Sequence, residues 1–211
     1  MDSTPVIQQA VQVLREGGVI LYPTDTVWGI GCDATNEKAV ARVFEIKRRS
    51  EAKSLVLLAC DLDMVAKYIK QIPSIAIDLV EVNDAPMTII YPGAQYLASN
   101  AVAADGSVGI RIPLVEEEEE AADGPRKAAP RKDLTAGAFC RELVRRLRRP
   151  LVSTSANISG EPTPLSFAEI PEEIKSAVDY VVPKPFGAGA TGRSSQIIKL
   201  GLGGEVEILR P

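Results

Sequence analysis

The sequence predicts an α/β fold in which a twisted, mixed β-sheet is flanked by helices. Three observations lead there. Short apolar runs of strand length and β-type composition alternate with runs whose apolar residues fall at helical spacing. That alternation holds early in the chain, whereas the later part is strand-rich, which fits a mixed sheet better than a purely parallel one. The chain has 211 residues, 45% of them hydrophobic and 25% charged, the make-up of an ordinary globule with one sizeable core or at most two small ones. No internal repeat is visible, and residues 1–211 are taken as one domain with a charged insertion at 116–133.

The elements follow in order. Residues 5–16 read as a helix, with Thr4 as N-cap and Pro5 at the first helical position, ended by Gly17-Gly18. Residues 19–22 are a buried strand, stopped by Pro23, which has no N–H to give a ladder. Thr24, Asp25 and Thr26 follow, with Gly29 and Gly31 expected to turn tightly or approach a ligand. Polar groups just past a buried strand sit where open α/β sheets bind ligands; capping or turning the chain is the plainer role for them. Asn36 caps a second helix that runs to Lys47 with Val40, Val43 and Phe44 on its apolar face. Residues 54–59 form the next strand, and Asp61 caps a short helix to Tyr68. Pro73 opens a helix ending near Val82, and 87–91 is a strand closed by Pro92-Gly93. Residues 107–113 are strand-like. A helix spans about 134–149, residues 150–152 are a short strand, and 177–182 another. Residues 195–200 and 205–209 make a closing hairpin across 201–204.

Composition excludes much chemistry. There is no histidine, so Ser-His-Asp and Cys-His nucleophilic schemes and histidine-ligated metal sites are out. Cys32, Cys60 and Cys140 show no metal-ligand spacing and read as reduced thiols of a cytoplasmic protein. No apolar run approaches the ~20 residues of a membrane helix, and the N-terminus lacks the regions of a signal peptide. The net charge of −4 conceals an uneven distribution: five of the 28 acidic residues are the glutamates of 116–120, and against 24 Lys and Arg the remainder carries +1. Residues 116–133 cannot support a packed core and are expected to be a flexible surface insertion, dispensable for folding and chemistry.

Several motifs bear on function. Residues 187–192 match Gly-x-Gly-x-x-Gly, but they lack the strand before and the helix after that the dinucleotide fingerprint requires. No P-loop is present. Lys47, Arg49 and Lys53 crowd a helix end, either as charges favoured by the helix dipole or as a phosphate clamp. Ser153, Thr154, Ser155, Asn157 and Ser159 make either a capped turn or a donor-rich pocket for a carboxylate or phosphate. Arg141, Arg145, Arg148 and Arg149 form a stripe, most simply a solvated helix face.

Taken in order, the motifs are more specific than any one alone. Pro-Thr-Asp-Thr-Val-Trp-Gly (23–29), Lys47-x-Arg49, Ser-Val-Gly-Ile-Arg-Ile-Pro (107–113), Ser-Thr-Ser-Ala-Asn-Ile-Ser-Gly (153–160), Ser-Ser-Gln-Ile-Ile (194–198) and Leu-Arg-Pro (209–211) together resemble the YrdC-like family, the threonylcarbamoyl-AMP synthases. The resemblance covers nearly the whole chain apart from 116–133. It implies a twisted sheet around a concave, positively lined cleft. It implies an enzyme, a nucleotidyltransferase, that makes threonylcarbamoyl-AMP and pyrophosphate from L-threonine, bicarbonate or CO2, and ATP, with Mg2+ accompanying the nucleotide. The product feeds the threonylcarbamoyladenosine modification at position 37 of tRNA, so proteins of the transfer machinery are implied partners. By motif, Thr24, Arg111, Ser153 and Ser195 would hold threonine. Lys47, Arg49, Ser107, Ser155, Asn157, Thr163 and Arg210 would hold ATP, with Lys47 and Arg49 as the catalytic pair. The chain departs from the pattern at Ser54, at Gln196, and in lacking a histidine near the end of the 55–59 strand.

The residue chemistry agrees with that assignment. A carboxylate suits Arg111 and small hydroxyls, and a triphosphate suits Lys47, Arg49 and Arg210. The amine of threonine can serve as the nucleophile, so no histidine is needed, and the task left to the protein is positioning and charge stabilisation. The alternative is a paralogue that binds double-stranded RNA or tRNA without synthase activity, using its cleft and the Arg141–Arg149 stripe.

Overall fold

The computed structural model of the chain describes residues 3–50, 54–115, 134–187 and 189–211. The insertion at 116–133 and Lys53 lie outside the described residues. Among the described residues nine strands form one sheet in the order β7-β1-β2-β6-β3-β5-β4-β8-β9. They are β1 (Ile20–Tyr22), β2 (Gly29–Gly31), β3 (Val56–Leu58), β4 (Met87–Tyr91), β5 (Val108–Arg111), β6 (Leu151–Ser155), β7 (Tyr180–Val181), β8 (Gln196–Leu200) and β9 (Val206–Arg210). The sheet is mixed, as expected: β1–β7, β3–β5 and β4–β8 pair in parallel and the other neighbours antiparallel.

Among the described residues six α-helices accompany it: α1 (Ser3–Arg15), α2 (Glu37–Ile46), α3 (Leu62–Tyr68), α4 (Ser74–Val82), α5 (Ala136–Leu147) and α6 (Glu172–Ala177). Helix α1 buries Ile7, Ala10, Val11 and Leu14, a 3.6-period stripe. That stripe packs with Phe139, Cys140, Leu143, Val144 and Leu147 of α5 against Ile20, Tyr22, Leu58 and Leu151 on one face of the sheet. The other face carries Leu21, Ile30, Leu57, Ile89, Ile110 and Val152 in the larger core, which includes Val40, Val43 and Phe44 of α2. Two of the expected caps are present. The carboxamide of Asn36 accepts from Ala39 N (3.2 Å) and the Asp61 carboxylate from Met64 N (2.8 Å).

Four expectations are corrected. Helix α1 already includes Ser3 and Thr4, so Thr4 is not its cap and Pro5 lies inside the first turn, where a missing N–H costs nothing. Residues 29–31 are a strand between β1 and β6, not a turn. Gly31 is there because a Cβ would stand 2.4 Å from Val152 O and 2.7 Å from the Tyr22 ring, so the close approach is to neighbouring strands rather than to a ligand. Residues 177–182 are not one strand: α6 ends at Ala177 and only Tyr180–Val181 pairs. Asp179 between them uses its carboxylate on Val19 N (2.7 Å) and Arg42 (2.5 Å).

Candidate active site

Register decides which side chains share a face, because strand side chains alternate. Val56 lies opposite both Ser153 and Gly109, Gly109 opposite Ile90, and Ile90 opposite Lys199. One step along, Leu58 lies opposite Arg111, Arg111 opposite Thr88, Thr88 opposite Ile197, and Ile197 opposite Arg210. Both rows are on the face that α1 and α5 cover from β1 as far as Leu58 of β3. Beyond those helices Ser153, Ser155, Val56, Ile90, Ile197 and Lys199 are half-buried. The result is a floor of small, hydroxylated and aliphatic side chains centred on Gly109. A Cβ at Gly109 would stand 3.3 Å from Thr88, 3.8 Å from Ile90 and 3.9 Å from Val56, so the floor is lowest there.

Lys47 anchors the polar turn at one end of this floor. It continues the buried stripe of α2 and is only 1% exposed. Its ammonium donates to the carbonyl of Ser155, to the carbonyl of Asn157 (2.7 Å) and to Asn157 Oδ1 (3.3 Å). Three N–H donors thus meet three protein oxygens. Asn157 is held further by Ser155 Oγ, which donates to its Oδ1 (2.5 Å), and by its own Nδ2, which donates to Glu161 O (2.6 Å). Burial, with the charge of Arg49 added, pushes Lys47 down to about 8. Lys47 therefore shapes the Ser155–Asn157 turn from beneath. Arg49 donates to Ser54 O (2.8 Å) at the entrance to β3, and burial lowers its pKa.

Arg111 marks the other end. Its guanidinium pairs with the Asp25 carboxylate, and both side chains are almost fully buried. Asp25 also accepts from Leu114 N (3.1 Å), and its carbonyl accepts from Thr191 N (2.9 Å). Thr24 Oγ1 is bonded to Thr26 Oγ1 (2.8 Å) and to Val27 O (2.7 Å). The 24–26 turn is thus both a local capping structure and the carrier of the Arg111 counter-ion. The resemblance assigned no role to Asp25. The signal for one was its position just past a buried strand in a chain whose strand 107–113 carries a lone arginine.

Ser195 stands beside Arg111's row: its Oγ shares a hydrogen bond with Thr88 Oγ1 (2.7 Å), and Arg210 donates to its carbonyl (2.8 Å) and its Oγ (3.4 Å). Ser107 immediately precedes β5 at the Ser155 end, bonded to Asp105 Oδ1 through its Oγ (2.5 Å) and its N–H (3.0 Å); these bonds, with Lys199, take Asp105 down to about 2. Thr163 is half-buried in the loop beyond Asn157, and among the described residues no hydrogen bond ties it to the others. The structure therefore brings Arg111, Ser153, Ser155, Ser195 and Arg210 onto one face, sets Ser107 and Asn157 at its Lys47 end, and leaves Thr163 to the side.

The arginine stripe of α5 is largely occupied. Arg141 donates to Cys60 O (3.1 Å), Arg145 and Arg146 pair with Glu142 (2.8 and 2.6 Å), and Arg149 pairs with Asp33 (2.6 Å). A cavity of about 370 Å³ on the opposite face, lined by Met87, Ile89, Tyr91 and Ile110, contains none of the other predicted site residues. Among the described residues no cluster of three or more His, Cys, Asp or Glu is placed to hold a metal, and no helix is long and apolar enough to cross a membrane.

Comparison with known proteins decides the family. The profile of the Sua5/YciO/YrdC proteins, described as "Telomere recombination", matches residues 12–117 and 133–211. The chain belongs to this family. Among its Sua5/YciO/YrdC relatives, a threonylcarbamoyl-AMP synthase of Pseudoalteromonas translucida is 31% identical over 190 residues, covering 89% of this chain and 90% of the relative. One from Xanthomonas campestris is 30% identical over 205 residues, 94% of this chain and 100% of the relative. The P. abyssi Sua5 structure complexed with L-threonine superposes with a TM-score of 0.75 at 26% identity, over 92% of this chain and 50% of that one. The chain thus spans about half the length of that Sua5 chain. The E. coli YciO structure shares the fold, with a TM-score of 0.70 at 22% identity, over 98% of this chain and 88% of that one.

Proposed function

We propose that this chain is a threonylcarbamoyl-AMP synthase, a nucleotidyltransferase that consumes L-threonine, bicarbonate or CO2, and ATP. The observation that carries the reading is the floor itself. It has a guanidinium and hydroxyls at its Arg111 end, hydroxyls and the Lys47-braced turn at its Ser155 end, and Gly109 at the lowest point between them. Arg111, Ser153 and Ser195, with Thr24 at the edge, suit a small amino acid bearing a carboxylate. Ser107, Ser155, Asn157, Arg49 and Arg210 suit the nucleotide, with Thr163 nearby. Lys47 serves the nucleotide by holding the turn in shape.

The chemistry balances without a histidine. The threonine amine bonds to the carbon of CO2 and gives up a proton, leaving a carbamate. A carbamate oxygen then attacks the α-phosphorus, the bond from that phosphorus to the β-bridging oxygen breaks, and pyrophosphate leaves. The protein's part is to align the two substrates and offset the negative charge at the phosphates. Mg2+ enters as part of the ATP substrate, since it is held through phosphates more readily than by a dedicated protein cage. The reading includes a cytoplasmic setting, consistent with three free, buried cysteines, and later transfer of the product to tRNA by other proteins. The test is pyrophosphate release by purified protein given ATP and bicarbonate. Release should require L-threonine, and release that ignores threonine, or none at all, refutes the reading.

A further inference from the structure

Thr88 is fully buried in β4, directly opposite Arg111 on one side and Ile197 on the other, on the floor face. A buried threonine hydroxyl in the middle of a central strand needs a reason, because an apolar isostere would avoid the desolvation. Among the described residues its one hydrogen-bond partner is Ser195 Oγ, at 2.7 Å. The two hydroxyls hold two protons. Arg210 Nη2 also donates to Ser195 Oγ, at 3.4 Å. If Ser195 gave its proton to Thr88, the proton of Thr88 would be buried with nothing to accept it, which costs more than the bond returns. The satisfied arrangement has Thr88 donating to Ser195. Ser195 then accepts from both Thr88 and Arg210, and its own O–H is left to be donated elsewhere.

We infer that Thr88 is a positioning residue that fixes the Ser195 hydroxyl as a donor facing the floor beside Arg111, so that the two together receive a substrate carboxylate. The inference rests on the synthase reading above and on the threonine-binding role that the family resemblance gives Ser195. Thr88 does not touch substrate. Its hydroxyl acts by accounting for the proton balance of Ser195, as second hydrogen-bond partners do for ligating groups elsewhere.

Thr88→Val keeps the shape and removes the hydroxyl. Thr88→Ala removes it with no risk of overpacking. Thr88→Ser keeps it. The experiment measures steady-state pyrophosphate release with threonine and ATP varied separately, alongside calorimetric titration with L-threonine. T88V and T88A should raise KM for threonine about tenfold, the worth of a hydrogen bond to a charged group, with KM for ATP and kcat nearly unchanged. T88S should restore threonine KM to near the wild-type value. A packing role predicts otherwise, since T88S and T88A both lose the methyl and would then fail alike. If wild type works but T88V and T88A match it, or T88S is as impaired as T88A, or the ATP constant moves equally, this inference falls while the synthase reading stands. A wild-type chain that neither binds threonine nor releases pyrophosphate with it overturns the synthase reading, and this inference with it.

Discussion

Asp25→Ala should be among the most destabilising single changes in this chain. Asp25 and Arg111 are each 4% exposed, so the ion pair is screened little by water or salt. Removing the carboxylate leaves a guanidinium buried without its counter-charge and takes away the acceptor of Leu114 N–H. Breaking a buried pair from one side costs about 3–5 kcal/mol, most of it the uncompensated charge. For a domain of this size each kcal/mol moves the melting temperature by about 2–4 °C, so Tm should fall by roughly 6–20 °C. Urea and thermal unfolding followed by circular dichroism give both numbers. The decisive comparison is a double-mutant cycle. Arg111→Met added to D25A removes the stranded charge, so the double variant should regain about half of the loss or more. If D25A stays within about 1 kcal/mol of wild type, or the two losses simply add, Asp25 does not hold Arg111 in the way described.

Further outcomes are expected. A Cβ on Gly137 would stand 1.8 Å from the Leu114 carbonyl oxygen, so Gly137→Ala must push α5 off the exit of β5; overpacking of this kind costs about 1–3 kcal/mol, and an unchanged urea midpoint would refute that packing. Lys47 sits at about 8, below the ordinary lysine value, because of burial and Arg49. The unfolded chain therefore holds more protons above pH 8, and the Lys47 contribution to stability should rise with pH from about 8 up to the exposed-lysine value. The neutral amine has one donor fewer for the three oxygens of the turn, so KM for ATP should worsen over the same range. Lys47→Ala or Arg49→Ala should lower activity by about 100-fold, and parallel pH profiles for wild type and K47R would rule out Lys47 as the titrating group. Finally, the clash distance at Gly137 shows that the chain on either side of 116–133 returns to the same place. Replacing 117–131 by a short Gly-Ser linker should change stability by about 1 kcal/mol or less, since closure depends weakly on loop length. It should also leave KM for ATP unchanged; a large rise with the fold intact would mean that the segment serves the nucleotide.

How much of this was legible in the sequence depends on whether the deciding interaction is local. Asn36 and Asp61 bond to N–H groups three residues ahead, so their caps were readable from a few letters. Gly29-Ile-Gly31 has no strand composition, and it is a strand only because β1 and β6, more than 120 residues apart in the chain, flank it. The floor is harder still. Residues 54–59 read as a buried strand and 107–113 as strand-like, and each contains one, Val56–Leu58 and Val108–Arg111, but which alternate residues share the floor face depends on the order β6-β3-β5-β4-β8, which no short-range pattern encodes.

Lys47 and Arg49 show the limit from the other side. Both are basic residues at a helix end, and both readings of that cluster, dipole partner or phosphate clamp, treat them alike. The helical period does not. Val40, Val43, Phe44 and Lys47 fall at i, i+3, i+4 and i+7, so Lys47 extends the apolar stripe into the core, whereas Arg49 lies past the end of α2. A lysine on a buried stripe must find oxygens for all three of its protons, because an ammonium left short of partners in the core is strongly disfavoured. A turn at the end of a strand can supply them, and the Ser155–Asn157 turn at the end of β6 does, with two carbonyls and a carboxamide. Its small polar composition then serves two ends at once. It satisfies the buried charge underneath while Ser153 and Ser155 stay half-exposed above, so the basic residue and the hydroxyl-rich turn are one construction rather than two motifs.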